Sequence, residues 1–228
     1  MSLNPVITIL DIQPEFIVIN KPANLDFHHT ADQISLVDLV RIQTGLTELF
    51  TVHRLDKMTS GILLLARSSE SARYFSQLFA EHRIQKYYLA LSDKKPSKKQ
   101  GWVKGGMEKG RNGSWKLVRD GGLSAVTQFF SYGLGEGQRL FVLKPLSGRT
   151  HQLRVAMKSL GSPILGDERY AGTAADRGYL HAYAIEFIFA NQHYQYIAPP
   201  NSGDLFQTPQ LLNTLTQLGH PSELAWPK

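Results

Sequence analysis

Residues 52–68 read VHRLDKMTSGILLLARS, and the interpretation of this stretch governs the rest of the chain. It sets one carboxylate, Asp56, among His53, Arg54 and Lys57, follows it with the small, turn-prone Thr59, Ser60 and Gly61, and ends on the apolar run 62–66. A short continuous apolar run of this kind fits a buried strand. Asp56 then stands at the lip of that strand, next to an arginine. An opposite charge a few ångströms away lowers a carboxylate's pKa and keeps it ionised. An ionised carboxylate held in place can act as nucleophile or general base. The same spacing also describes an ion pair that only caps a strand, and structural ion pairs outnumber catalytic acids.

The chain has 228 residues, 42% of them hydrophobic, enough for one sizeable core, and a single domain over 1–228 is expected. No apolar run approaches the ~20 residues of a membrane helix. The N-terminus, MSLNPVITILDIQPEF, lacks the basic start and small-residue cleavage site of a signal peptide. Cysteine is absent, which excludes disulfides and thiolate-bound metals and leaves a cytoplasmic location by elimination. The net charge of +6 suits a polyanion. Nucleic acid is the better candidate, because no basic amphipathic helix of the membrane type stands out. His28, His29, His53, His82, His151, His181 and His193 are scattered without metal-ligand spacing, so no metal is expected. No glycine-rich phosphate loop opening a helix is present either, so no nucleotide cofactor is expected.

Residues 6–10 and 16–20 read as strands around the turn 11–15. Ser35 and Asp38 have capping-box spacing before the apolar face of Leu36, Leu39 and Val40, and Gly45 sits at a C-cap. Ser68 or Ser69 caps the next helix, with Ala72, Phe75, Leu78 and Phe79 as its buried stripe. A strand follows at 86–91, then a Lys- and Pro-rich loop at 93–100 and a glycine-rich, exposed hairpin over 101–119. Strands at 125–132 and 139–145 flank the turn 133–138. A helix over 150–160, capped by Thr150, stops at Gly161. A hairpin joins 180–190 to 194–198, and a last helix spans 209–218. Strands outnumber helices and run in hairpins, which predicts an α+β fold with a mixed, mostly antiparallel sheet.

Two further stretches can carry chemistry. In KYYLAL, 86–91, Lys86, Tyr88 and Ala90 share one face, predicted to line a cleft, while Tyr87, Leu89 and Leu91 look like core. A tyrosine there can stack on a base and offer its hydroxyl to a polar group; an ordinary strand aromatic is the plainer reading. In LSGRTHQLRVAMKSL, 146–160, Leu153, Ala156, Met157 and Leu160 form an apolar stripe. Arg149, His151 and Arg154 crowd the helix start. A helix N-terminus already carries about half a positive charge, so cations there call for a nearby anion, either the Asp56 carboxylate or an RNA phosphate.

HRLDxxTSG at 53–61 resembles the signature of the RluA family of pseudouridine synthases at every fixed position. KxYxA at 86–90 and GRTHQLR at 148–154 look like that family's second and third motifs. Asn20-Lys21-Pro22 begins its NKPxGLxVH, with Asn24 in place of glycine and Phe27 in place of valine. PILGD at 163–167 and LHA at 180–182 also match, whereas Ala156 departs from the family's usual RVH. The likeness runs from about 20 to about 198 and implies the pseudouridine synthase fold, with helices and loops around a central cleft.

The resemblance implies that uridine in ribosomal or transfer RNA is isomerised to pseudouridine with no cofactor and no metal. It assigns Asp56 as nucleophile or base, Tyr88 as the ring against the target base, and Arg154 as the cation paired with Asp56. Arg54 is expected to fill the gap left by the extruded base. His53, Lys86, Arg149, His151 and Leu153 are the remaining RNA or base contacts. A monomer is expected, without the S4-like RNA-binding domain of some relatives, so substrate choice falls to loops such as 101–122. The competing readings are an RNA-binding module of the same fold without activity and an unrelated acid–base enzyme such as a glycosidase. The second needs another working carboxylate, which the sequence does not place beside Asp56.

Overall fold

The computed structural model describes residues 6–26 and 34–227. Phe27, His28 and His29, singled out in the sequence, lie outside the described residues. In chain order the elements are β1 Thr8–Ile12, β2 Phe16–Lys21, α1 Leu36–Thr44, β3 Phe50–Thr51, β4 Ser60–Ala66, α2 Ser69–Ala80, β5 Gln85–Ser92, β6 Gln100–Lys109, β7 Trp115–Val118, β8 Leu123–Gly135, β9 Gln138–Pro145, α3 Gln152–Ser159, β10 Leu180–Phe189, β11 Gln192–Ile197 and α4 Pro209–Leu218. The α+β class expected from the sequence is the one observed. Chain contacts group into two compact units, 1–84 with 182–199 and 85–181 with 200–228.

In the first unit the strand order is β1-β2-β4-β10, with β3 added to β4 and β11 to β10. The pairs β1–β2, β2–β4, β3–β4 and β10–β11 are antiparallel. β2 (FIVINK) and β4 (SGILLLA) are buried at every position, which explains why neither alternates polar with apolar. Phe16, Val18, Ile62, Leu64 and Ala66 pack with Phe75 and Leu78 of α2. The caps follow the sequence. Ser35 accepts the Asp38 amide, and Gly45 ends α1 in the left-handed region at φ 71°. For α2 it is Ser68, of the two candidates, that accepts the Ser71 amide. The β10–β11 turn sits earlier than expected, because Ala190 and Asn191 take the positive φ values of 48° and 60° that a tight two-residue hairpin requires.

In the second unit the order is β5-β9-β8-β6-β7, and each of these neighbouring pairs is antiparallel. The glycine-rich segment forms the β6–β7 hairpin. Its face carrying Met107 and Leu117 packs with Ala125 of β8, Val155 of α3 and the buried Tyr170. This hairpin is therefore docked on α3, not standing free in solvent. β5 also differs from expectation: Tyr87, Leu89, Ala90 and Leu91 are fully buried and Tyr88 keeps 9% exposure, so the face expected to be open is open only at Lys86 and at the rim of the Tyr88 ring.

Gly61 heads β4 with φ 110°, and a Cβ there would fall on the carbonyl oxygen of Ala182 and 2.6 Å from its nitrogen. The glycine of HRLDxxTSG thus lets two backbones touch. Gly61→Ala combines strain with overpacking and is expected to cost about 3 kcal/mol or more, measured as a lowered urea midpoint.

Candidate active site

In the first unit, residues 52–59 connect β3 to β4. The carbonyl of Asp56 accepts the Thr59 amide at 3.0 Å, closing a four-residue turn. Leu55, Thr59 and Ser60 on either side are buried, so they fix the loop while the Asp56 side chain stays half-buried. The turn is tied from below by Lys21. Its side chain is completely buried. Its ammonium donates to the carbonyls of Pro22 and Leu25, both at 2.9 Å, and to that of Lys57 at 3.3 Å. Burying an ammonium is costly unless its donors are satisfied, and these carbonyls contribute to satisfying them. The Lys57 carbonyl also accepts the Asn24 amide at 2.8 Å. Asn24 lies at φ 62°. That explains the departure from glycine at this position, since asparagine tolerates the left-handed region better than most side chains.

His53 has a structural task. Its Nε2 accepts the backbone amide of Leu64 at 2.9 Å, and its ring stacks on Phe79 at 4.4 Å. β3 has only two residues, paired with Leu65 and Ala66, and the imidazole takes the next ladder amide of β4. Accepting an N–H at Nε2 places the ring proton on Nδ1. Arg54 is exposed, at the edge of a groove of about 580 Å³ lined also by Val37, Leu49, Phe50, Thr51 and Val52.

In the second unit, α3 gathers Arg149, His151, Leu153 and Arg154. The helix begins at Gln152, two residues later than expected, and Thr150 does not cap it. The cause is Gln152. Its Oε1 accepts Ser147 Oγ at 2.8 Å and the Arg149 amide at 3.0 Å, while its Nε2 donates to Val126 O and Thr127 Oγ1, each at 3.0 Å. This tight turn leaves His151 left-handed at φ 58° with no side-chain cap. Arg149 is exposed and donates from Nε to Ser124 O at 3.0 Å. Leu153 is buried. Tyr88 is buried opposite Leu143 on β9. Lys86 reaches over the turn before α3, its Nζ 3.8 Å from where a Cβ on Gly148 would lie. Burial lowers the Lys86 ammonium from 10.5 to about 8.

Arg154 is not part of a solvated basic face. Its Nε and Nη2 fork onto the two oxygens of Asp167 at 2.7 Å each, with side-chain exposures of 9% and 1% for the two partners. The guanidinium also lies over the ring of Tyr170, 4.9 Å from its centroid. Asp167, Tyr170, Lys21 and Gln152 are the site-building residues that the sequence reading did not assign. A signal existed for three of them: Asp167 ends PILGD, Lys21 stands in Asn20-Lys21-Pro22 and Gln152 lies in GRTHQLR.

The family profile for RNA pseudouridylate synthase matches residues 15–159, the span that holds the Asp56 loop, β5 and α3. The chain belongs to the RluA family of RNA pseudouridine synthases. It is 46% identical over 203 residues to a protein of Haemophilus influenzae named as an uncharacterized RNA pseudouridine synthase, covering 88% of this chain and 91% of that one. It is 32% identical to a tRNA pseudouridine synthase C of Haemophilus ducreyi, covering 76% and 82%. Its fold superposes on the human RNA pseudouridylate synthase domain containing 4 with a TM-score of 0.74 at 25% identity, over 90% of this chain and 93% of that one. As a member of this family the synthase is an isomerase that acts on RNA. Among the described residues no helix is long and apolar enough to cross a membrane.

Breaking a buried ion pair from one side leaves the other charge uncompensated. Asp167→Ala is therefore expected to lower stability by about 3–5 kcal/mol, read from denaturant unfolding, and to cost more than Arg154 and Asp167 replaced together by apolar residues of similar volume.

Proposed function

We propose that Asp56 carries out the isomerisation of a uridine in ribosomal or transfer RNA. The observation that carries this reading is the fixed Asp56 turn, closed on Thr59 and tied through the Lys57 carbonyl to a buried ammonium, in the loop that matches the family signature. A carboxylate on such a base keeps its position while substrate moves. It attacks the ribose C1′ or the uracil C6, or removes the C2′ proton. In each case the N1–C1′ bond breaks, the uracil turns, and a C5–C1′ bond forms. C5 then gives up its proton and N1 gains one, so the reaction balances without a cofactor.

Arg154 serves the reaction as its catalytic arginine, the role that the family resemblance gives it. Its support is the Asp167 fork, which fixes the guanidinium's plane and direction. Tyr88 supplies a ring for the base, and the exposed Arg54 stacks in the gap left by extrusion. That offsets part of a flipping cost of about a few kcal/mol. Lys86, Arg149 and His151 contact phosphate, which positions RNA without reading its sequence.

Asp56→Asn is expected to abolish pseudouridine formation in bulk ribosomal and transfer RNA while RNA binding stays within about twofold. Conversion at the parent's rate would remove Asp56 from the chemistry. Mapping pseudouridines in cells with and without the protein identifies the RNA.

Lys86 gives a pH test. Its ammonium is charged below about 8 and neutral above, and a phosphate partner favours the charged form. RNA affinity is therefore expected to fall several-fold more steeply between pH 7 and pH 9 than in Lys86→Arg, whose side chain keeps its charge throughout. Parallel binding curves for the two proteins would exclude Lys86 from the phosphate contacts.

A further inference from the structure

Residues 167–170, Asp-Glu-Arg-Tyr, form a short bracket whose side chains reach in two directions. Toward α3, Asp167 forks Arg154, and the Tyr170 ring lies beneath the same guanidinium at 4.9 Å. The Tyr170 hydroxyl meets His151 Nδ1 at 2.8 Å. Toward the β6–β7 hairpin, the same hydroxyl accepts the backbone amide of Trp115 at 2.9 Å. The Arg169 guanidinium donates to the carbonyl of Asn112, at the hairpin tip. Tyr170 is buried at 2% exposure, whereas Arg169 is exposed.

The hairpin itself presents Lys104, Lys109, Arg111 and Lys116 to solvent. Basic side chains on an exposed ribbon attract phosphate regardless of sequence. A strand pair resting only on its apolar face could shift without disturbing α3. This one cannot, because Trp115 and the tip are hydrogen-bonded to the residues that hold Arg154 and His151. The sequence reading gives this segment a part in substrate choice; the bracket ties it to the residues around Arg154 as well.

We infer that Tyr170 is a positioning residue, which with Arg169 couples the placement of RNA on the β6–β7 hairpin to the orientation of Arg154 and His151. The inference rests on the reading of Arg154 as the catalytic arginine. RNA held by the hairpin's cations is thereby held in register with the guanidinium. Without the link, RNA still binds but reaches the site out of register.

The test compares Arg169→Ala, Tyr170→Phe and the double variant on one RNA that the parent converts. Tyr170→Phe keeps the ring under Arg154 and removes both hydroxyl contacts; Arg169→Ala removes the tie to the tip from the exposed side and serves even where the buried change lowers stability. Each single variant is expected to lower kcat about tenfold, with the Kd for RNA within about twofold and the melting temperature near the parent's. The double variant is expected to be no slower than the slower single one, because either break undoes the same link. Losses that multiply in the double variant, an unchanged kcat in both singles, or losses that track the unfolded fraction overturn the inference and leave the Asp56 reading intact. A parent that forms no pseudouridine in any RNA removes that reading, and the coupling with it.

Discussion

The buried fork between Arg154 and Asp167 is the constraint on which the second unit depends. Taking a guanidinium and a carboxylate out of water costs several kcal/mol per ion, and the fork's return is direction more than stability. Two parallel bonds at 2.7 Å fix the plane of the guanidinium. The Tyr170 ring then fixes the face on which it lies. An arginine on a solvated helix face would sample many rotamers. This one is held by Asp167 and Tyr170, and the segment that carries them also holds the hairpin.

The first unit reaches a similar end by different chemistry. There the buried cation is Lys21, and its recorded acceptors are carbonyls, so a point charge with several donors gathers backbone from three places. The ammonium has no preferred plane and suits converging carbonyls, whereas the planar guanidinium suits a carboxylate's two oxygens. One organises a loop and the other orients a side chain. His53 adds a third device, an imidazole standing in for a strand carbonyl where β3 ends.

What the sequence made legible is local. The apolar run 62–66, the serine caps of α1 and α2 and the buried stripe of α2 follow from periodicity and from bonds reaching three residues along the chain. The late start of α3 was not legible, because Gln152 reaches residues 25 and 26 positions away to hold the turn. The near-closure of both faces of β5 was hidden too, since KYYLAL says what each face carries but not what covers it. For the site, the motifs named Asp56, Tyr88 and Arg154; the charges at the helix start asked for an anion, Asp56 or a phosphate, and the resemblance chose Asp56 for Arg154. That Asp167 grips Nε and Nη2 depends on tertiary placement, although its motif had been seen. Lys21 and Tyr170 escaped assignment for the same reason: a lysine beside a proline and a tyrosine after an arginine look like surface.

The tie from Lys21 to Lys57 joins residues 36 positions apart, and this separation bears on how the protein assembles. Closing such a loop for a single contact is entropically unfavourable. The β2–β4 ladder removes the obstacle, because its pairing sets Lys21 opposite Gly61, a few residues beyond the turn. The Asp56 loop is therefore expected to close only after the ladder has zipped, and to open before the ladder does when the chain is stressed. With Asp56 as the proposed catalytic group, a population whose sheet is intact but whose loop is open would be silent, and activity is expected to be lost on warming before secondary structure is.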